Sequence, residues 1–169
     1  MVSLFLSPQG RIKSGPFWLG VIVLLVIGLA LSLPGNLGLV DVTSPESRPL
    51  QLGLAAVSIV LLYPQLCIFA KRLHDAGKSA WWFLAVIGVA IVLNFVVGIL
   101  LTVPYFPQLV EAQGDQEAMI AIQLSMRDKI VWPATAVGIA ITLIVSFVVG
   151  NLRSDPAENK YGPPVSAGA

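Results

Sequence analysis

Four apolar runs leave this chain of 169 residues few folds to choose from. They cover about residues 17–33, 50–70, 80–103 and 131–150. Each is close to the ~20 residues that a helix needs to cross a bilayer core. In hydrocarbon every backbone amide must find its partner within the chain, so each run is read as a helix. The fold class that follows is an all-α membrane protein, a four-helix transmembrane bundle. Charged residues make up 11% of the chain, against about 25% in soluble proteins. The bundle is read as one domain over 1–152. The polar tail over 153–169, rich in Pro and Gly, is expected to be disordered. A net charge of +1 supplies no field for nucleic acid. A single cysteine, Cys67, excludes an internal disulfide.

The densest charge cluster is Lys71-Arg72-Leu73-His74-Asp75-Ala76-Gly77-Lys78, followed by Ser79-Ala80-Trp81-Trp82. It reads as a tight hairpin between the second and third helices. Gly77 suits the left-handed residue that ends a helix. Lys71 and Arg72 lie in the last turns, where the negative end of the macrodipole favours cations. Ser79 suits the N-cap of the next helix. Trp81 and Trp82 follow at the membrane–water boundary. Asp75 is at the wrong end of its helix for an anion, so it needs a cation. Lys71 and Arg72 are within helical reach, and Arg11 is a candidate from elsewhere in the chain. The Arg11 fork is expected to hold the carboxylate, leaving Arg72 and Lys78 free to face lipid phosphate.

Arg72-Leu73-His74-Asp75-x-Gly77-Lys78-Ser79-x-Trp81-Trp82 resembles the signature of a bacterial inner-membrane family, the domain of unknown function 805 (YhaH-like proteins). Gly10-Arg11-Ile12 with Phe17-Trp18 resembles the family's N-terminal element. Asn159-Lys160-Tyr161-Gly162-Pro163 resembles its C-terminal one. Ala80 stands where the family usually has glycine, and the segment from Pro104 to Lys129 is long for the family. The resemblance implies a small multi-pass protein of the bacterial inner membrane and transfers no catalytic residue.

Orientation follows from counting Lys and Arg in the loops. With four spans, the N-terminus, hairpin and C-terminus share one side. That side holds Arg11, Lys13, Lys71, Arg72, Lys78, Arg153 and Lys160. The other holds Arg48, Arg127 and Lys129 among six acidic residues. Both termini are therefore expected to be cytoplasmic. Within the second outer segment, Met119, Ile122 and Met126 recur at helical spacing. This fits either an interfacial helix or an aqueous extension of the fourth span.

Gly77-Lys78-Ser79 ends like a P-loop, but Arg72 stands where the first glycine belongs and no strand precedes it. Nucleotide binding there is rejected. His74-Asp75 lacks the further groups that catalysis would need, and no second His gives metal spacing. No cofactor or metal is expected. The site reading is instead lipid or partner binding by Arg11, Lys13, Arg72, His74, Asp75, Lys78, Ser79, Trp81 and Trp82, against the plainer view that these charges only set topology. Ala134, Gly138, Thr142, Ser146 and Gly150 recur every four residues, a row that lets helices approach closely. It serves packing within the monomer or, on a sharper reading, a homo-oligomer. Gln65 and Asn94 are expected at different depths, lining no common path. The functional expectation is a non-enzymatic membrane protein whose basic hairpin binds anionic lipid headgroups or a partner protein. The alternative is a small oligomeric transporter or channel, and headgroup chemistry through His74 and Asp75 comes third.

Overall fold

The first apolar run becomes a helix longer than the run itself, because a glycine and not a proline ends it. The computed structural model describes residues 2–41 and 44–165. A short helix, α1 (Val2–Leu6), precedes the first long one, α2 (Ser14–Asn36). Pro34 lies just past the apolar run over 17–33, yet it sits inside the last turn of α2. The stop comes at Gly38, with φ +68. There Leu39 N–H reaches the Pro34 carbonyl at 2.9 Å and Gly38 N–H reaches Gly35 at 3.1 Å, which is a Schellman closure. Gly77 repeats it: φ is again +68, Lys78 N–H reaches the Leu73 carbonyl at 2.8 Å, and Gly77 N–H reaches His74 at 3.0 Å.

The second span is broken. Helix α3 (Arg48–Val60) stops at Leu61, and α4 (Leu62–Asp75) resumes. Pro64 accounts for the break, and it acts one turn before itself. Having no N–H, it leaves the Val60 carbonyl without its helical donor. Helix α4 then runs five residues beyond the expected boundary at 70. The third span is α5 (Trp81–Thr102), extended through a 3-10 turn into α6 (Phe106–Glu111). The last is α7 (Gln116–Gly150), 35 residues long. At 1.5 Å per residue it measures about 52 Å, well beyond the ~30 Å hydrocarbon core. Asp115 caps it, accepting from Ala118 N–H at 3.0 Å. The segment with Met119, Ile122 and Met126 is thus the start of the fourth span's own helix, with Pro133 inside it.

Four stretches are long and apolar enough to cross a membrane: Ser14–Asn36, Pro45–Asp75, Trp81–Glu111 and Gln116–Gly150. The core sits almost entirely at one end of this bundle. Phe17 and Val21 come from the start of α2, Ile68, Phe69 and Leu73 from the end of α4, Phe83 from the start of α5, and Val149 from the end of α7. Phe69 stacks on Phe83 at 4.5 Å and meets Phe17 edge-on at 5.1 Å. Each such pair adds roughly 0.5–1.5 kcal/mol through ring geometry.

Candidate functional site

The hairpin sequence lies on this core, and most of it is buried. Asp75 is 1% exposed, Arg72 3% and Lys71 6%. The cause is convergence of three segments far apart in sequence: the stretch before α2, the end of α4, and the chain after α7.

Asp75 resolves its unfavourable place at a helix C-terminus by taking two guanidinium partners. Its Oδ1 accepts from Arg11 Nε at 3.2 Å, and its Oδ2 accepts from Arg72 Nη1 at 2.5 Å. Ser154 Oγ donates to the same Oδ2 at 2.5 Å. Two cations on one carboxylate would leave a buried positive excess. The helix ends offset it, since each carries about half a negative charge on its free carbonyls. Arg72 reaches the Gly150 carbonyl with Nε at 3.3 Å and Nη2 at 3.0 Å, and Nη2 also donates to Leu152. It therefore serves as the C-cap of α7. Ser14 Oγ adds a further donor to the Gly150 carbonyl at 3.0 Å.

Arg11 does the same for α4 and the tail. Its Nη2 donates to the Asp75 carbonyl at 3.2 Å and to the Asp155 carbonyl. Its Nη1 donates to Ala157 at 2.9 Å and Gly162 at 3.4 Å. The expected Arg11–Asp75 contact is present. The expectation that Arg72 faces lipid phosphate is corrected, because its donors are spent on Asp75, Ser154 and the end of α7. Lys71 likewise does not reach into headgroups; its Nζ donates to the Ser3 carbonyl and ties α1 to α4.

The tail is corrected too. Residues 153–165 were expected to be disordered, yet they fold over the hairpin, while 166–169 lie outside the described residues. Asp155 N–H donates to the Asp75 carbonyl at 2.7 Å. Asn159 Nδ2 donates to the His74 carbonyl and to Asp155 Oδ2, both at 3.2 Å. The Tyr161 ring stacks on His74, with centroids 3.7 Å apart and planes within 8°. On its other side, His74 Nδ1 lies 3.3 Å from the Gly10 carbonyl. The Asp155 carboxyl is held below the usual aspartate range, first by the Ala157 N–H and then by Asn159, with Arg11 assisting against desolvation.

The remaining predicted residues face outward. Lys78, Trp81 and Trp82 are exposed, while Ser79 and Lys13 are half-buried. Ser79 Oγ accepts from Trp81 N–H at 3.4 Å. The row on α7 faces the other helices. Gly150 is closest, where a Cβ would come within 2.9 Å of Phe17 and 3.0 Å of Trp18. Ser146 is fully buried, and Thr142, Gly138 and Ala134 are half-buried. Gln65 and Asn94 share the wall of one cavity, against expectation. The reason is the longer α4: Gln65 is ten residues from its end, about 15 Å, and Asn94 is about 20 Å from the start of α5. Ser154, Asp155 and Ser14 were missed as site residues, because their contacts join segments far apart in the chain and follow no periodicity.

The fold and this site define a multi-pass α-helical membrane protein closed at one end by a buried arginine–aspartate clamp. The chain belongs to the family described as protein of unknown function (DUF805), whose model matches residues 5–163. All three clamp segments from Gly10 onward fall within that range. Comparison with curated proteins and with solved structures finds no match to either.

Proposed function

We propose that this is a non-enzymatic protein of the bacterial inner membrane, with both termini cytoplasmic, whose hairpin end binds anionic phospholipid. The observation that carries the reading is the place of Lys78. With Arg11, Arg72 and Lys71 consumed inside the protein, Lys78 is the hairpin's exposed cation. It stands at an apolar groove of about 200 Å³ between α5 and α7, lined by Leu73, Trp82, Phe83, Val149 and Leu152. A lysine at the headgroup level beside an apolar groove matches a lipid phosphate with an acyl chain below it. Trp82 belongs at that boundary. Lys13, Ser79 and Trp81 belong to the same end of the bundle. His74 and Asp75 support the non-enzymatic reading, since the ring is stacked and hydrogen-bonded and both carboxylate oxygens are taken.

The test uses the purified protein in phosphatidylcholine bilayers with spin-labelled phosphatidylglycerol or spin-labelled phosphatidylcholine. The anionic probe should associate preferentially. Lys78→Gln should reduce that preference about fivefold, as expected for ~1 kcal/mol per lysine near the surface. Equal association of the two probes with the wild type would sink the reading, and a saturable protein partner at Lys78 would replace it.

A further inference from the structure

The middle of the bundle holds a second feature, unrelated to the hairpin groove. A cavity of about 280 Å³ lies between α2, α4 and α7, and a smaller one of about 90 Å³ adjoins it toward α5. Both are walled by Gln65, Phe69, Gly138 and Thr142. At about 15 Å from the end of α4, Gln65 is near the centre of a ~30 Å hydrocarbon core. Its carboxamide meets no polar partner among the described residues. A primary amide without a partner in hydrocarbon is costly, so a polar group inside a span faces something that answers it.

The wall has a definite chemistry. Thr135 accepts from Asn36 Nδ2 at 3.3 Å and keeps its own proton to give. Asn94 gives one amide proton to the Ala90 carbonyl at 2.8 Å and retains the other. Gln65 retains both. Four amide and hydroxyl protons are thus unspent, beside the two amide oxygens of Gln65 and Asn94, and among the described residues no Asp, Glu, Lys, Arg or His lines either space. A charged guest would have no counter-ion there. The rest of the wall is apolar, as in sites that grip a lipid-soluble body and orient it by a few polar groups. The α2 side is thin at Gly28, where a Cβ would touch nothing within 4 Å.

We infer that the cavity around Gln65 binds a neutral, lipid-soluble molecule through its carbonyl oxygens, with the carbonyl head inside and an apolar tail leaving past Gly28 into the bilayer. The volume admits a single ring or a pair of ester groups, not a whole phospholipid head. Gln65 supplies the main hydrogen bonds, Thr135 and Asn94 assist, and Phe69 forms the floor.

Two probes separate the sources of such carbonyls: a decyl-benzoquinone and dioctanoylglycerol. Binding of each to the full-length protein is followed by tryptophan quenching or thermal shift in detergent. At least one probe should bind saturably. Gln65→Leu keeps the volume and removes the amide, and it should weaken binding about tenfold, the loss of one good buried hydrogen bond. Gly138→Leu should abolish binding by filling the space. Its Cβ would meet only Asn94 Oδ1, at 3.8 Å, so the helix can accept it; if that variant does not fold, Gln65→Leu and Gln65→Glu carry the test. Lys78→Gln should leave binding unchanged, which separates this site from the hairpin groove. The inference is overturned if neither probe saturates, or if binding persists undiminished in Gln65→Leu.

Discussion

Both ends of the bundle place an arginine at the C-terminus of a long helix, with different results. At the hairpin end, Arg72 caps α7, pairs with Asp75 and has a side chain 4% exposed. At the far end, Arg127 lies over Gly38 at the end of α2, pairs with Asp128 and has a side chain 26% exposed. Asp128 is 66% exposed, whereas Asp75 is 1% exposed. The difference lies in what covers the pair. Over the Arg72–Asp75 pair lie the Arg11 segment and the tail. Over Arg127 no comparable layer lies among the described residues, and Gly35, in the last turn of α2, has open space where its Cβ would be. Charge pairing at a helix end becomes structure only where other chain segments exclude water from it.

Neutralising the two acids should break the symmetry most sharply. Asp75→Asn keeps the shape but leaves two buried guanidiniums sharing no anion. It should lower stability in detergent by about 3–5 kcal/mol. Asp128→Asn should change it by less than about 0.5 kcal/mol. Thermal unfolding of the two variants side by side checks this, and equal shifts would erase the distinction.

Replacing the arginines with lysine should come next. Arg72→Lys keeps the charge but loses the fork that spans Gly150, Leu152, Ser154 and Asp75. A loss of about 1.5–3 kcal/mol is expected, the worth of a charged hydrogen bond. Arg127→Lys should be within about 0.5 kcal/mol of the wild type.

The two closing glycines sharpen the comparison further. Alanine at Gly38 or Gly77 incurs roughly 1–2 kcal/mol for the left-handed backbone. At Gly38 the new methyl would meet the tip of Arg127 at 3.0 Å, a flexible side chain free to swing away. At Gly77 it would meet Asp155 Oδ2 at 3.2 Å, and Asp155 is fixed by Ala157 and Asn159. Gly77→Ala should therefore be the worse of the two, read as a lower unfolding temperature and faster amide exchange in the tail.

The smallest effect is the acid response. A carboxyl held below its ordinary value contributes stability above the unfolded pKa and loses it as pH falls through the folded one. Asp155 is such a group. The tail should hold at neutral pH and loosen below the usual aspartate range, near pH 3.8 and lower, seen as faster proteolysis after Leu152. Asp155→Asn should flatten that response.

How much of this was legible depended on the kind of force involved. The spans followed from hydropathy alone. The Arg11–Asp75 contact followed from one electrostatic argument, an anion at the wrong helix end. Arg72 was misplaced because a count of basic residues treats every cation as equivalent and cannot tell a capping fork from a surface charge. The tail was misread because Pro and Gly suggest disorder, whereas it is held by backbone carbonyls on Arg11 and by Asn159, which leave no periodic trace. Gln65 and Asn94 were set apart because α4 was ended at 70 and not at Asp75. That five-residue error moved Gln65 by more than a turn.

The central claim is that the N-terminal segment and the hairpin are one energetic unit through Arg11 and Asp75. A charge swap cannot test it, because Arg11 also serves four backbone carbonyls that an aspartate could not. A double-mutant cycle can. Arg11→Gln, Asp75→Asn and the double variant are unfolded thermally in the same detergent. The account predicts a coupling of about 1–3 kcal/mol, since each single change removes the same buried contact. Additivity within about 0.3–0.5 kcal/mol, the behaviour of distant sites, would contradict it.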